Sequence, residues 1–268
     1  MINKPIKRSN LRIMLGKAYY RTMRYKEWYF GEKKYAHRRS DLLLSNVVFE
    51  HKTPLYRSLK NVDMWLQDNK VINLKFGAKA LNGVVIEPGE FFSYWKLLGK
   101  PTYSKGYVDG MVLHYGKVKT GVGGGLCQLS NLIYWMTLHT PLTVTERHRH
   151  SYDVFPDSKR SQPFGSGATC VYNYRDLQIV NNTNKAYQLI VKIEGDHLYG
   201  EWRSMNKPIE HYEVYEKHHE ITHETWGGYA RHNQIFRRVR GPNDEVLEES
   251  FLIENHALMM YQPFIESK

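Results

Sequence analysis

A glycine triplet runs directly into a cysteine in the stretch GVGGGLCQLSNLIYWMTLH, residues 121–139. Gly123, Gly124 and Gly125 reach backbone angles closed to other residues, so a tight turn is expected there. After it, Leu129, Leu132, Ile133 and Met136 recur at helical spacing, and Pro141 ends the pattern. Residues 120–145 hold no Asp, Glu, Lys or Arg, so this helix should be buried. The glycines, Gln128, Asn131, His139 and Pro141 interrupt the unbroken apolar run that a membrane span needs.

Around this helix the texture is mixed. Leu11, Met14, Leu15, Ala18 and Tyr25 predict an amphipathic helix over 8–30. A second helix is expected over 54–69, with Leu55, Leu59, Val62, Trp65 and Leu66 on one face and Thr53-Pro54 at its start. From residue 71 strands and turns take over. Val84–Ile86 and Phe91-Phe92 flank a Pro88-Gly89 turn, and residues 106–118 read as a hairpin with turns at Asp109-Gly110 and Tyr115-Gly116. Residues 143–154 read as a strand, and 169–202 as two or three more, broken at Asn181-Asn182 and Glu194–Asp196. Residues 210–268 read as hairpins with turns at Gly227-Gly228 and 241–244. The expected fold is α+β: a mainly antiparallel sheet packed on a central Cys-bearing helix, with N-terminal helices and C-terminal β-hairpins. The expected division is a basic helical segment (1–70), a core domain (71–205) and a β extension of the same globule (206–268).

The net charge of +11 is lopsided. Residues 1–40 carry twelve Lys/Arg against two Glu, whereas the rest carries 26 basic and 25 acidic groups. A basic segment favours anionic partners, and an amphipathic one favours an anionic membrane surface. No nucleic-acid-binding motif accompanies it, so no nucleic acid is expected. The basic N-terminus is not followed by the apolar region of a secretory signal, so a cytoplasmic chain is expected, peripheral at most to the inner leaflet. Cys127 and Cys170 are too few for a disulfide framework.

Cys127 is the candidate nucleophile. A helix N-terminus or a nearby imidazolium lowers a thiol pKa, so a thiolate is expected. Amides around Gly125–Gln128 could hold an oxyanion. A strand through TVTERHRHSYD would set Glu146, His148 and His150 on one face, supplying a base and a carboxylate to orient it. His150 is favoured as base over His148. Gly123, Gly124, Gly125, Gln128, Ser130 and Ser151 are the candidate substrate contacts. No cofactor or metal is expected. HEITH, residues 219–223, matches a zinc-protease spacing, but its β-branched neighbours and Gly227-Gly228 favour a strand.

Five blocks in order resemble the VanW family: LNGVVIEPGEFFSYWKLLG, Gly106-Tyr107, GVGGGLCQLS, ERHRHS and GSGATCVYNYRDLQIVNNT. The resemblance covers roughly residues 75–200. It implies peptidoglycan chemistry: some members are L,D-transpeptidases whose nucleophile matches Cys127 and whose paired histidines match His148 and His150. Other members are encoded with VanB-type vancomycin resistance, which implies an accessory role there. The alternative is a non-catalytic cytoplasmic protein that binds cell-wall precursors or a resistance partner. The chain departs from the family pattern at Asn131-Leu132, usually a Thr pair, and at Gly167, usually Asp.

Overall fold

The computed structural model describes residues 8–56, 63–114, 116–154 and 162–262. The N-terminal helix α1 (Asn10–Phe30) is followed by β1 (Asn46–Pro54), α2 (Met64–Leu81), β2 (Val84–Ile86), β3 (Phe91–Ser93) and α3 (Tyr94–Leu98). The hairpin β4 (Asp109–His114) and β5 (Lys117–Val122) leads into α4 (Cys127–Leu138). Then come β6 (Thr143–Glu146), β7 (Tyr152–Asp153), β8 (Gln178–Val180), β9 (Tyr187–Glu194) and β10 (His197–Ser204). Three long strands finish the chain: β11 (His211–His223), β12 (Tyr229–Arg240) and β13 (Val246–Met259).

The sheets run β1-β10-β9-β2, β3-β8-β6 and β11-β12-β13-β7, beside the β4-β5 hairpin. The ladders are antiparallel except for the parallel pair β13–β7. The fold is α+β, with α4 lying across β1, β10 and β6. The expected stripe, Leu129, Leu132, Ile133 and Met136, has no solvent exposure. Gly200 of β10 makes the close approach possible, because a Cβ there would lie 2.7 Å from Met136 Cε. Trp202, also in β10, donates its indole N–H to Thr137 Oγ1 at 3.1 Å, which satisfies a buried polar group within the apolar layer.

Of the helix expected over 54–69, residues 64–69 are helical, Pro54 is strand instead, and residues 57–62 lie outside the described residues. Residues up to Pro54 belong to β1, paired with β10, and the helix begins at Met64. Pro54 closes the strand at its last position, where a missing N–H does little harm. Trp65 is exposed while Leu66 is buried, so they do not share an inward face. Leu59 and Val62 lie outside the described residues. The strand texture expected from residue 71 also starts later. Val71, Leu74, Ala78 and Leu81 keep helical spacing and are buried together in α2. Asp109-Gly110 opens β4 rather than turning, while Gly116 bends the hairpin at φ +73° and Tyr115 lies outside the described residues. The C-terminal turns fall where expected, with Gly227 and Gly228 at φ +88° and +96°.

Candidate functional site

Cys127 opens α4, and packing sets the turn before it. Gly123 and Gly125 have φ of +75° and +91°. A Cβ on Gly124 would lie 2.1 Å from the Gly110 carbonyl carbon, and one on Gly125 would lie 2.2 Å from Lys70 Cγ. The triplet therefore lets the turn press on β4 and α2. The side of each glycine on which a Cβ would sit is filled by the protein itself. Within the turn, the Gln128 N–H donates to Gly125 O at 3.0 Å and the Leu129 N–H to Leu126 O at 3.1 Å. Among the described residues, the amides of Gly125 and Cys127 have no such partner.

The Cys127 thiol is half-buried and donates weakly to the Cys170 carbonyl at 3.8 Å. Burial pushes it above the ordinary thiol range, against a smaller opposing pull from the backbone of Cys170 and of Cys127. Burial thus works against the expected thiolate. Cys170 is a free thiol too, pushed well up by burial.

The strand expected to align Glu146, His148 and His150 ends at Glu146. Arg147 pulls the chain out of the sheet, donating to Gly167 O at 2.8 Å and to Gly165 O, with its guanidinium over the Tyr134 ring. The three side chains therefore share no strand face. Glu146 and His148 still meet, with His148 Nε2 at 3.0 Å from Glu146 Oε1. Burial would raise the Glu146 carboxyl. Hydrogen bonds from His148 and Arg24 outweigh that and hold it below the usual range. Arg24 reaches both carboxylate oxygens, at 2.5 and 2.6 Å, and the Asp176 N–H adds a third donor. Burial, with a contribution from Arg175, pushes His150 down to about 4, so it is neutral at physiological pH.

One strip, residues 167–170, joins these parts. Ser130 Oγ donates to Ala168 O at 2.6 Å, and Asn131 Oδ1 accepts from the Ala168 N–H at 2.7 Å. On the other side, the Thr169 N–H donates to His148 O at 2.8 Å. The first turn of α4 and the His148 segment are thus held on either side of a single strip of backbone. Ser130 is committed to that strip. Gln128 instead binds Thr53 Oγ1 and Pro54 O, both at 2.9 Å, and Ser151 is exposed with its carbonyl receiving the Leu258 N–H.

Residue patterns did not reveal Arg24 or Asp176. Asp176 is fully buried, accepts from Ser93 Oγ and the Trp95 N–H, and is pushed up to about 7 by burial. A carboxylate beside Arg in the run YRDLQIV was the available signal for Asp176. Arg24 lies 122 residues from its partner Glu146, and nothing local marks it. HEITH lies in β11, where His219 Nε2 accepts from Arg231 at 2.8 Å. Among the described residues, no three His, Cys, Asp or Glu gather as metal ligands, and no helix is long and apolar enough to cross a membrane.

Cys127, Glu146, His148 and the strip 167–170 all lie within the span of a known family. A family model described as VanW like protein matches residues 69–203, and the chain belongs to the VanW family. The vancomycin B-type resistance protein VanW of Enterococcus faecalis (strain ATCC 700802 / V583) is 34% identical over 233 residues, 87% of this chain and 84% of that protein. The uncharacterized protein YoaR of Bacillus subtilis (strain 168) is 29% identical over 126 residues, 46% of this chain and 39% of that protein. No solved structure matches the chain significantly.

Proposed function

We propose that this chain is an accessory protein of glycopeptide resistance, and that it acts by Cys127-dependent acyl transfer on peptidoglycan peptides or their precursors. The observation that carries this reading is the shared strip: Cys127 and His148 contact residues 170 and 169 of one backbone segment. In the proposed reaction, His148, oriented by Glu146, takes the thiol proton as a substrate carbonyl arrives. The sulfur attacks the carbonyl carbon, and the free amides of Gly125 and Cys127 receive the oxyanion. The proton passes to the departing amine and leaves a thioester. An incoming amine then completes transpeptidation, or water completes hydrolysis. His150, neutral at rest, is the alternative base. The substrate must displace the Cys170 contact, because catalytic hydrogen bonds often tighten only with substrate bound.

A second reading has its own support. A half-buried thiol, pushed up by burial and turned toward a carbonyl, suits a pocket that binds without reacting. The chain would then hold a cell-wall precursor or a resistance partner. Cys127→Ala separates the two in a host whose glycopeptide resistance depends on this chain. Acyl transfer predicts loss of that contribution at normal protein level. Full retention contradicts acyl transfer and favours binding.

A further inference from the structure

Helix α1 is attached to the molecule at one end. Of its 21 residues, Arg24 and Trp28 are the buried ones. Around them the helix is pinned, with Arg24 on Glu146, the Lys96 ammonium on the Trp28 carbonyl at 2.6 Å and the Tyr25 hydroxyl on that of Tyr172 at 2.9 Å. The earlier turns stand in solvent, although their sequence is rich in large apolar side chains: Leu11, Met14 and Leu15 are 63%, 60% and 58% exposed. At the pinned end Tyr29, with the Lys96 ammonium over its ring, is still 67% exposed. Leu11, Leu15, Ala18, Thr22, Tyr25 and Tyr29 recur at alternating steps of four and three, so they share one side of the helix, apolar but for Thr22 and most exposed at Leu11 and Leu15 before the Tyr25 contact. Contiguous exposed apolar surface of this kind marks an interaction site.

The charge around the stripe selects its occupant. Arg12, Lys17, Arg21 and Lys26 are all exposed on the same helix. Its single acid, Glu27, is already engaged by Arg24 and Lys33. A second copy of α1 would bring two cationic flanks together. A nucleic acid would use the cations and leave the leucines in water. An anionic bilayer surface takes both, since apolar side chains enter the acyl boundary while the cations meet lipid headgroups.

We propose that α1 docks in the plane of an anionic lipid surface. The docked helix carries the candidate site with it, because Arg24 also grips Glu146 beside His148. This proposal does not depend on the proposed acyl transfer.

Sedimentation of the full chain with vesicles tests it. Phosphatidylglycerol vesicles are expected to bind at least tenfold better than phosphatidylcholine vesicles, and less as salt rises. The variant Leu11→Ser/Leu15→Ser/Tyr29→Ser should lose at least tenfold in binding, and Arg12→Glu/Arg21→Glu a similar factor. Both sets are exposed, and unchanged circular dichroism and melting temperature confirm that each variant is folded. The proposal is overturned if phosphatidylglycerol vesicles do not bind at low salt, or if the two lipids bind equally. It is also overturned if the apolar variant binds as well as the parent, if a single-stranded oligonucleotide competes the vesicles away, or if α1 mediates a stable dimer.

Discussion

At the scale of single residues, the thiol and the glycines before it respond to packing more than to local sequence. Burial raises the Cys127 thiol, so its alkylation by iodoacetamide should rise with pH along a curve displaced above that of free cysteine. A curve at or below the free-cysteine position would contradict the upward push of burial on this half-buried thiol. Gly124→Ala should destabilise the fold by about 3 kcal/mol, because the new methyl meets backbone that has nowhere to go. Denaturant unfolding measures this. The two departures from the family pattern form one spatial unit. A Cβ on Gly167 would lie 2.7 Å from Asn131 Oδ1, the atom that accepts from Ala168. Gly167→Asp alone should cost about 2 kcal/mol, and Asn131→Thr/Gly167→Asp should cost less than Gly167→Asp alone, a coupling that a double-mutant cycle reads directly. The glycine turn, the helix that opens at Cys127 and the meeting of Glu146 with His148 were readable because each carries its signal within a few residues. Arg24 was not readable, because its role exists only after residues far apart in sequence fold together.

Among the elements, periodicity served where one face is buried and failed where tertiary contacts redirect the chain. The stripe of α4 was plain, since a charge-free segment with helical spacing has little alternative to burial. The strand through His148 and His150 was misread because Thr, Val and alternating polar residues continue the strand texture, whereas Arg147 pulls the backbone toward Gly165 and Gly167. The start of α2 was misread because Thr53-Pro54 mimics a helix cap, while the pairing of β1 with β10 claims those residues first. The end of α4 carries a pH signature. His139 is buried, stacked on Phe49, and pushed down to about 4 chiefly by burial. Its folded value lies below its unfolded one, so the unfolded chain binds more protons between them. The stability from this neutral ring is present above about pH 6.5 and fades as pH falls toward 4. The urea midpoint should therefore drop between pH 7 and pH 4.5, and His139→Gln should reduce that drop.

For the whole molecule, the Arg24–Glu146 pair joins the N-terminal helix to the candidate base. Arg24 is 8% exposed and Glu146 21%. Removing the cation would leave a largely enclosed carboxylate facing Asp176, so Arg24→Ala should cost about 3 kcal/mol. It should also expose α1 to limited proteolysis at low protease concentration. Stability equal to the parent would mean the pair is not the joint between these parts. The same joint would tie the proposed lipid-docked helix to the proposed cysteine site. Intact-mass spectrometry tests the proposed acyl transfer most directly. Incubated with a peptidoglycan stem peptide and quenched in acid, the protein should gain the mass of the acyl fragment on Cys127, and Cys127→Ala should not. A parent protein that carries no adduct at any time, while remaining folded and able to bind the peptide, would contradict acyl transfer.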